Sequence, residues 1–427
     1  MFFMIIISYG FHSLGEILPT AINQVLIFLM FIGFIIDKST IKQDFTLNKY
    51  VFVFLLSIVI ITYIINLNYV DSRTIQTTIQ VIIYFLTYFW IINYDKQKFY
   101  KIVKVYINII FFLSIIALIQ EISYLINIEF LYDLKSIGVQ SHNISSVGPF
   151  LRVYSLTTEP SHFAEISSAA MIICLGRLFS PYFKEIVSKS FSLTIIIAFL
   201  FTFSLLAYIF FFSAILFYIV YTINIKRKLI IIMITIISAL LISINYQSLS
   251  KNFLPFVKLN LFINNAKNLN TYSSKDIDHL SVFAILSNYK VTKRSFYERP
   301  FVGTGLDSYR KAYEHYIPST IGNVKRKLNK DNAGSLYFRL ITEFGLLFII
   351  LFIIILSRYY IKKDKDIKID SVYLLNKIFL LSFLLESIRN GTYLFPGKWI
   401  FLSFYITSFQ FYIYKIKDIS KKIYNKN

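Results

Sequence analysis

Residues 335–357 read SLYFRLITEFGLLFIILFIIILS, an apolar run in which Arg339 and Glu343 are the only charged side chains. A helix of about 20 apolar residues crosses a hydrocarbon core of about 30 Å. Shorter core helices of a soluble protein show a polar face at a period of 3.6, and the stretch 344–356 has none. The segment is therefore expected to be a membrane helix, and the same reading extends outward from it in both directions.

Downstream the pattern recurs near 371–388 and 398–415. Upstream it recurs near 2–14, 18–36, 50–66, 75–93, 103–126, 162–179, 191–204, 207–224 and 229–245. The stretch 191–224 is too long for one helix without strong tilt, so it divides near Ser204. The expectation is an all-α, polytopic bundle of about twelve transmembrane helices. Composition agrees: 56% of residues are hydrophobic and the mean hydropathy is +0.62, against an apolar share of about 45–50% in soluble domains.

Charge sets the orientation. The chain carries 44 Lys+Arg against 23 Asp+Glu, a formal charge of +21. In a soluble protein that excess would point to nucleic acid; here topology accounts for it, because cytoplasmic loops collect Lys and Arg. Lys38, Lys42 and Lys49, then Lys96, Lys98, Lys101 and Lys104, then Lys184 and Lys189, Lys226-Arg227-Lys228 and the 358–368 cluster fall in every second loop. Both termini are then cytoplasmic, and loops 127–161 and 246–334 face outward. Three regions follow: helices one to nine in 1–245, the large outer loop 246–334, and helices ten to twelve with a basic tail in 335–427. The first apolar stretch has no basic leader or cleavage site, so a signal peptide is not expected. Cys174 is the sole cysteine, so no intramolecular disulfide is expected.

Two polar patches interrupt the apolar pattern on the outer side. The first runs from Arg152 to Phe163 as RVYSLTTEPSHF. Glu159 precedes Pro160 at a helix start and shares a face with His162. An acidic residue favourable to the helix dipole explains Glu159 without function; a carboxylate able to accept a proton is the alternative. Glu165, deeper in that helix, is a costly group for the bilayer. The second patch places Arg294, Arg299 and Arg310 around the turn Pro300-Phe301-Val302-Gly303-Thr304-Gly305, followed by His315 and by Asp331-Asn332. Gly303 and Gly305 allow close backbone approach to a ligand, and guanidinium groups grip phosphate in a bidentate way; a basic loop beside anionic head groups is the plainer explanation. Within this loop Ile277, Leu280, Phe283 and Leu286 repeat at helical spacing. A second helix from Leu306 sets Leu306, Tyr309, Tyr313 and Tyr316 on one face. Arg339 with Glu343 and Glu386 with Arg389 are spaced to form ion pairs within their helices. No Walker loop, zinc cluster or Asp-rich magnesium motif is present, so no cofactor or metal is expected.

Taken together these residues resemble the O-antigen polymerase and ligase superfamily of bacterial surface polysaccharide assembly. The likeness rests on Arg152 to Phe163, Arg294 to Tyr309, Asp331-Asn332 through Glu343-Phe344-Gly345, and the Thr202-Phe203-Ser204 turn. Arg294 and Gly305 stand ten residues apart, as in the Arg-x10-Gly pattern of polymerase outer loops; the first loop departs from it, with Phe163 at the glycine position. Ligases commonly have a His before the Asn, where this chain has Asp331. The resemblance implies a polymerase that transfers glycan from undecaprenyl pyrophosphate onto another lipid-linked repeat unit, at the outer face of the bacterial cytoplasmic membrane. It implies Glu159, or else His315, as the base. It further implies Arg152, Arg294, Arg299, Arg310, Arg339, Gly303, Gly305 and Asn332 as substrate-binding residues. Implied partners are the lipid-linked oligosaccharide, membrane lipids and a chain-length regulator protein, with no nucleic acid. The alternatives are a ligase of the same superfamily and a lipid-linked oligosaccharide flippase.

Overall fold

The computed structural model describes residues 74–83, 98–137, 144–179, 182–221, 280–317, 329–362, 371–389, 391–393 and 396–424, together with Ile60, Ile64 and Asn66. The expected helices 2–14, 18–36 and 229–245, nearly all of 50–66, and the loop segment 246–279 with Ile277 lie outside them.

The described chain is mostly helical. Its helices are α1 (Thr74–Ile83), α2 (Phe99–Leu125), α3 (Glu129–Tyr132), α4 (Pro160–Phe179), α5 (Lys189–Leu200), α6 (Leu205–Tyr221), α7 (Leu280–Glu298), α8 (Tyr309–Tyr316), α9 (Leu336–Arg358), α10 (Ser371–Glu386) and α11 (Pro396–Tyr424). A 3-10 turn at Leu134–Ile137 and a two-residue hairpin, β1 (Ser146–Val147) with β2 (Phe150–Leu151), complete it. Of these, α2, α4 and α9 are long and apolar enough to cross a membrane.

Pro160 opens α4, because its fixed φ suits the first helical position and its missing N–H costs nothing there. Ser188 caps α5 by accepting the amide of Phe191 at 3.2 Å. The expected break in 191–224 is real: α5 ends at Leu200, Phe203 takes a positive φ of 43°, and α6 begins at Leu205.

Polarity is turned inside out. On α2, Phe112, Ile115, Ile119 and Ile122 face outward at helical spacing, while Ser114, Gln120, Glu121 and Ser123 are buried. Bilayer-facing helices have this distribution, because lipid solvates apolar side chains and protein solvates polar ones. The core joins α2, α4, α5, α6, α10 and α11. Tyr106 of α2 donates its hydroxyl to the Ile166 carbonyl of α4 at 2.7 Å, and Tyr218 of α6 donates to Ile172 at 2.7 Å. Asn376 of α10 donates to the carbonyls of Tyr359 and Tyr405, both at 3.1 Å.

The second half of the long loop folds onto α9. α7 packs along α9, and α8 packs on both. The expected face of α8 is buried: Tyr309, Tyr313 and Tyr316 close a small core with Val291 and Ala333. Arg310, Glu314 and His315 are on its exposed side. Leu306 is buried as expected but precedes the helix.

Candidate functional site

The first polar patch is held rigidly before it does anything. Gln120 of α2 accepts the amides of Tyr154 at 3.3 Å and Ser155 at 2.7 Å. Ser155, at a positive φ of 53°, donates its hydroxyl to the Leu113 carbonyl at 2.7 Å. The Val153 amide bonds to Phe201 at 3.1 Å, beside the Thr202-Phe203-Ser204 turn. One loop is thus fastened to α2 on one side and to the α5–α6 turn on the other.

Arg152 and Glu159 stand at the two ends of this loop, and Arg389 comes to them from the end of α10. Arg389 Nη2 donates to Glu159 Oε2 at 3.1 Å, and the Ser161 hydroxyl donates to the same oxygen at 2.9 Å. Arg152 lies close enough to both for their charges to act on it. Burial, and next the like charge of Arg389, lower the pKa of Arg152, while Glu159 opposes them. Arg152 Nη1 donates to Ser145 Oγ at 3.2 Å, but its buried Nε has no hydrogen-bond partner. Two guanidinium groups and one carboxylate leave one net positive charge. They sit at the N-terminus of α4, where the helix dipole adds to it. His162 is turned to Thr158, 2.7 Å from its hydroxyl.

Sequence reasoning missed Arg389. The expected pair with Glu386 does not form: Glu386 ends α10, the following residues turn, and Arg389 leaves the helix face that the pairing assumed.

The second patch is organised differently. The turn 300–305 is pressed against a break in α9, where Gly345 takes φ 56° and ψ −141°. Thr304 and Gly305 donate their amides to the carbonyls of Thr342 and Glu343 at 3.0 and 2.8 Å. Leu346 and Leu347 donate theirs to Pro300 and Phe301 at 2.7 and 3.1 Å. A Cβ on Gly303 would meet the backbone of Glu343 and Phe344, and one on Gly345 would meet Pro300. Gly303 and Gly305 therefore approach the protein's own helix.

Beneath that clamp lies a closed group. Arg339 Nε donates to Glu343 Oε1 at 2.9 Å, its Nη1 to the Gly391 carbonyl at 3.1 Å and its Nη2 to Asp307 Oδ1. Glu343 also accepts the Asp307 amide at 2.9 Å, the Tyr309 amide at 3.3 Å and the Tyr393 hydroxyl. The Arg339 guanidinium lies over the Tyr393 ring, 4.0 Å from its centroid. Arg339 is 4% exposed and committed to ion pairs with Glu343 and Asp307.

The other expected residues have protein partners of their own. Arg299 Nη1 donates to Asn66 Oδ1 at 2.6 Å, and Arg294 Nη1 to the Tyr316 carbonyl at 3.3 Å. Arg310 lies 3.7 Å from Asp331 and 4.0 Å from Glu314. Asn332 Oδ1 accepts the Gly334 amide at 3.0 Å. His315 is exposed with its ring edge-on to Tyr316. The structure thus joins Arg152 with Glu159, adds Arg389, and sets Arg294, Arg310 and His315 on the exposed side of α7 and α8. Among the described residues no cluster of His, Cys, Asp and Glu could hold a metal ion. No family model, curated protein or solved structure matches the chain.

Proposed function

We propose that the chain is a membrane glycosyltransferase that polymerises lipid-linked oligosaccharide repeats, taking glycan from an undecaprenyl pyrophosphate donor. The observation that carries this is the Arg389–Glu159 ion pair with a second guanidinium, that of Arg152, within electrostatic reach of both and a buried N–H of Arg152 left unpartnered. A buried donor without a partner is costly unless something visits it. An oxyanion of a pyrophosphate satisfies both arginines and competes with Glu159 for Arg389.

The chemistry follows from that competition. As Arg389 turns to the phosphate, Glu159 is released to take the proton of the acceptor hydroxyl. The acceptor oxygen bonds to the anomeric carbon, the carbon–oxygen bond to pyrophosphate breaks, and its electron pair leaves with the phosphate. The two guanidinium groups stabilise that charge as it develops. In this proposal the chain has about twelve transmembrane helices, cytoplasmic termini, and loops 127–161 and 246–334 on the outer face of the bacterial cytoplasmic membrane.

Glycan analysis of a strain lacking the protein tests the activity. A polymerase predicts single repeats at the surface and no polymer. Polymer still on its lipid carrier would replace it with a ligase, and repeats trapped on the cytoplasmic side with a flippase. In a Cys174→Ala background, an impermeant thiol reagent should label Glu314→Cys in intact cells and leave Lys101→Cys unlabelled; the reverse would invert the topology.

A further inference from the structure

Farther into α4 from Glu159, and at the end of α10 just before Arg389, three helices bring ionisable groups into one buried place. Glu165 on α4 and Glu386 on α10 are 0% exposed, and Lys398 on α11 is 2% exposed. The three are close enough to act on one another electrostatically: Glu386 feels Glu165 and Lys398, and Lys398 feels both carboxylates. Two more groups face the cluster, Tyr106 from α2 and Arg339 from α9. Tyr106 uses its hydroxyl on the Ile166 carbonyl, and Arg339 is committed to Glu343 and Asp307. Lys398 Nζ donates to the Thr392 carbonyl at 3.2 Å.

Neither carboxylate oxygen of Glu386 has a hydrogen-bond partner. An ionised carboxylate stripped of both water and donors is among the most costly states inside a membrane protein. Counting charge resolves it. Two ionised carboxylates and one ammonium leave a net negative charge in a low-dielectric place, and like carboxylates sharing a site cannot both ionise. One added proton brings the cluster to neutrality.

We propose that Glu165, Glu386 and Lys398 form a proton-binding site within the helix bundle, holding one exchangeable proton shared between the two carboxylates. The proton has a short way out. Glu386 ends α10 three residues before Arg389, and both Ile388 and Arg389 are exposed. The protein thereby carries a proton store three residues along the chain from Arg389. The site does not depend on which substrate those arginines take.

The test is infrared spectroscopy of the full chain in lipid nanodiscs, following the carbonyl stretch of protonated carboxyl groups in H2O and D2O. Each variant is subtracted from the unaltered protein, so buried carboxyls elsewhere, such as Glu121, cancel. A shared proton predicts that Glu386→Gln and Glu165→Gln each remove the same band completely, because the remaining carboxylate then pairs with Lys398. Lys398→Met should about double it, because both carboxyls must then be neutral. If Glu386→Gln does not fold, Glu165→Gln and Lys398→Met decide the matter. A band unchanged in Lys398→Met would overturn the shared proton. So would a band that is absent in sodium buffer and emerges when sodium is replaced by a bulky organic cation, which would make this a sodium site.

Discussion

Two groups of charged side chains are each built round one carboxylate, and they have been finished differently. Around Glu343, both carboxylate oxygens accept two hydrogen bonds and all three guanidinium nitrogens of Arg339 donate. One atom there, Asp307 Oδ2, is left over. With Asp307 the group carries one net negative charge and is sealed from solvent. Around Glu159, Arg389 is bonded to the carboxylate and Arg152 is near enough for its charge to be felt; a buried nitrogen of Arg152 is unpartnered, and the Arg389 side chain is 44% exposed. That group is net positive and open. Saturated hydrogen bonding is what a group that holds the fold requires; a buried donor left over next to an exposed guanidinium is what the proposed substrate site would use.

The largest effect should come from breaking the closed group. Arg339→Ala strands Glu343 and Asp307 without their cation, and removing one partner of a buried pair costs about 3–5 kcal/mol. Against a total stability of about 5–15 kcal/mol, the yield of folded protein should collapse, as measured by monodisperse recovery in mild detergent. Normal recovery would erase the distinction between the groups.

Next comes the glycine clamp. Gly303→Ala forces a side chain onto a positive φ of 59° and into the backbone of Glu343 and Phe344. Such strain costs about 1–3 kcal/mol before any clash is counted. The melting temperature should fall by several degrees, with part of the activity surviving at low temperature. An unchanged melting temperature would mean that the turn does not grip α9.

The open group should behave in the opposite way. Arg389→Lys keeps the charge and loses the planar fork. A charged hydrogen bond left unmade is worth about 1.5–3 kcal/mol, or about one to two powers of ten in rate. Polymer formed per folded protein should drop by that factor at an unchanged melting temperature. A fall in stability with no loss of rate would move Arg389 to the structural side.

How much of this was visible in the chain depends on the distance over which each pairing acts. Among the described residues the helices were, because hydropathy is a local signal: α4, α9 and the split between α5 and α6 lie within a few residues of expectation. The Arg339–Glu343 pair was visible too, since both residues sit four apart inside one helix. Glu386 and Arg389 have nearly the same spacing, yet the helix ends between them and that rule lapses. Arg389 then reaches Glu159 across 230 positions, which no local pattern encodes. Gly303 and Gly305 mark in the sequence a place where backbone can come close to something. What they approach was hidden, because the partner surface, the break at Gly345, is itself made by folding.

Arg310 gives the smallest expected effect and separates charge from architecture. It stands in the second patch beside Glu314 and Asp331, at 4.0 and 3.7 Å, with half of its side chain in solvent. Exposed ion pairs contribute about 0–1 kcal/mol, because water screens them and two long side chains must be ordered. It also covers no buried carboxylate, since both of its partners are half exposed. Arg310→Ala should therefore leave the melting temperature within about two degrees of the unaltered protein, and polymer formation within about twofold. Steady-state polymer length and thermal unfolding of the same preparation check both at once. A tenfold loss of polymer at full stability would place the exposed side of α8 in contact with substrate, and the Arg152–Glu159–Arg389 group would then be only half of the site.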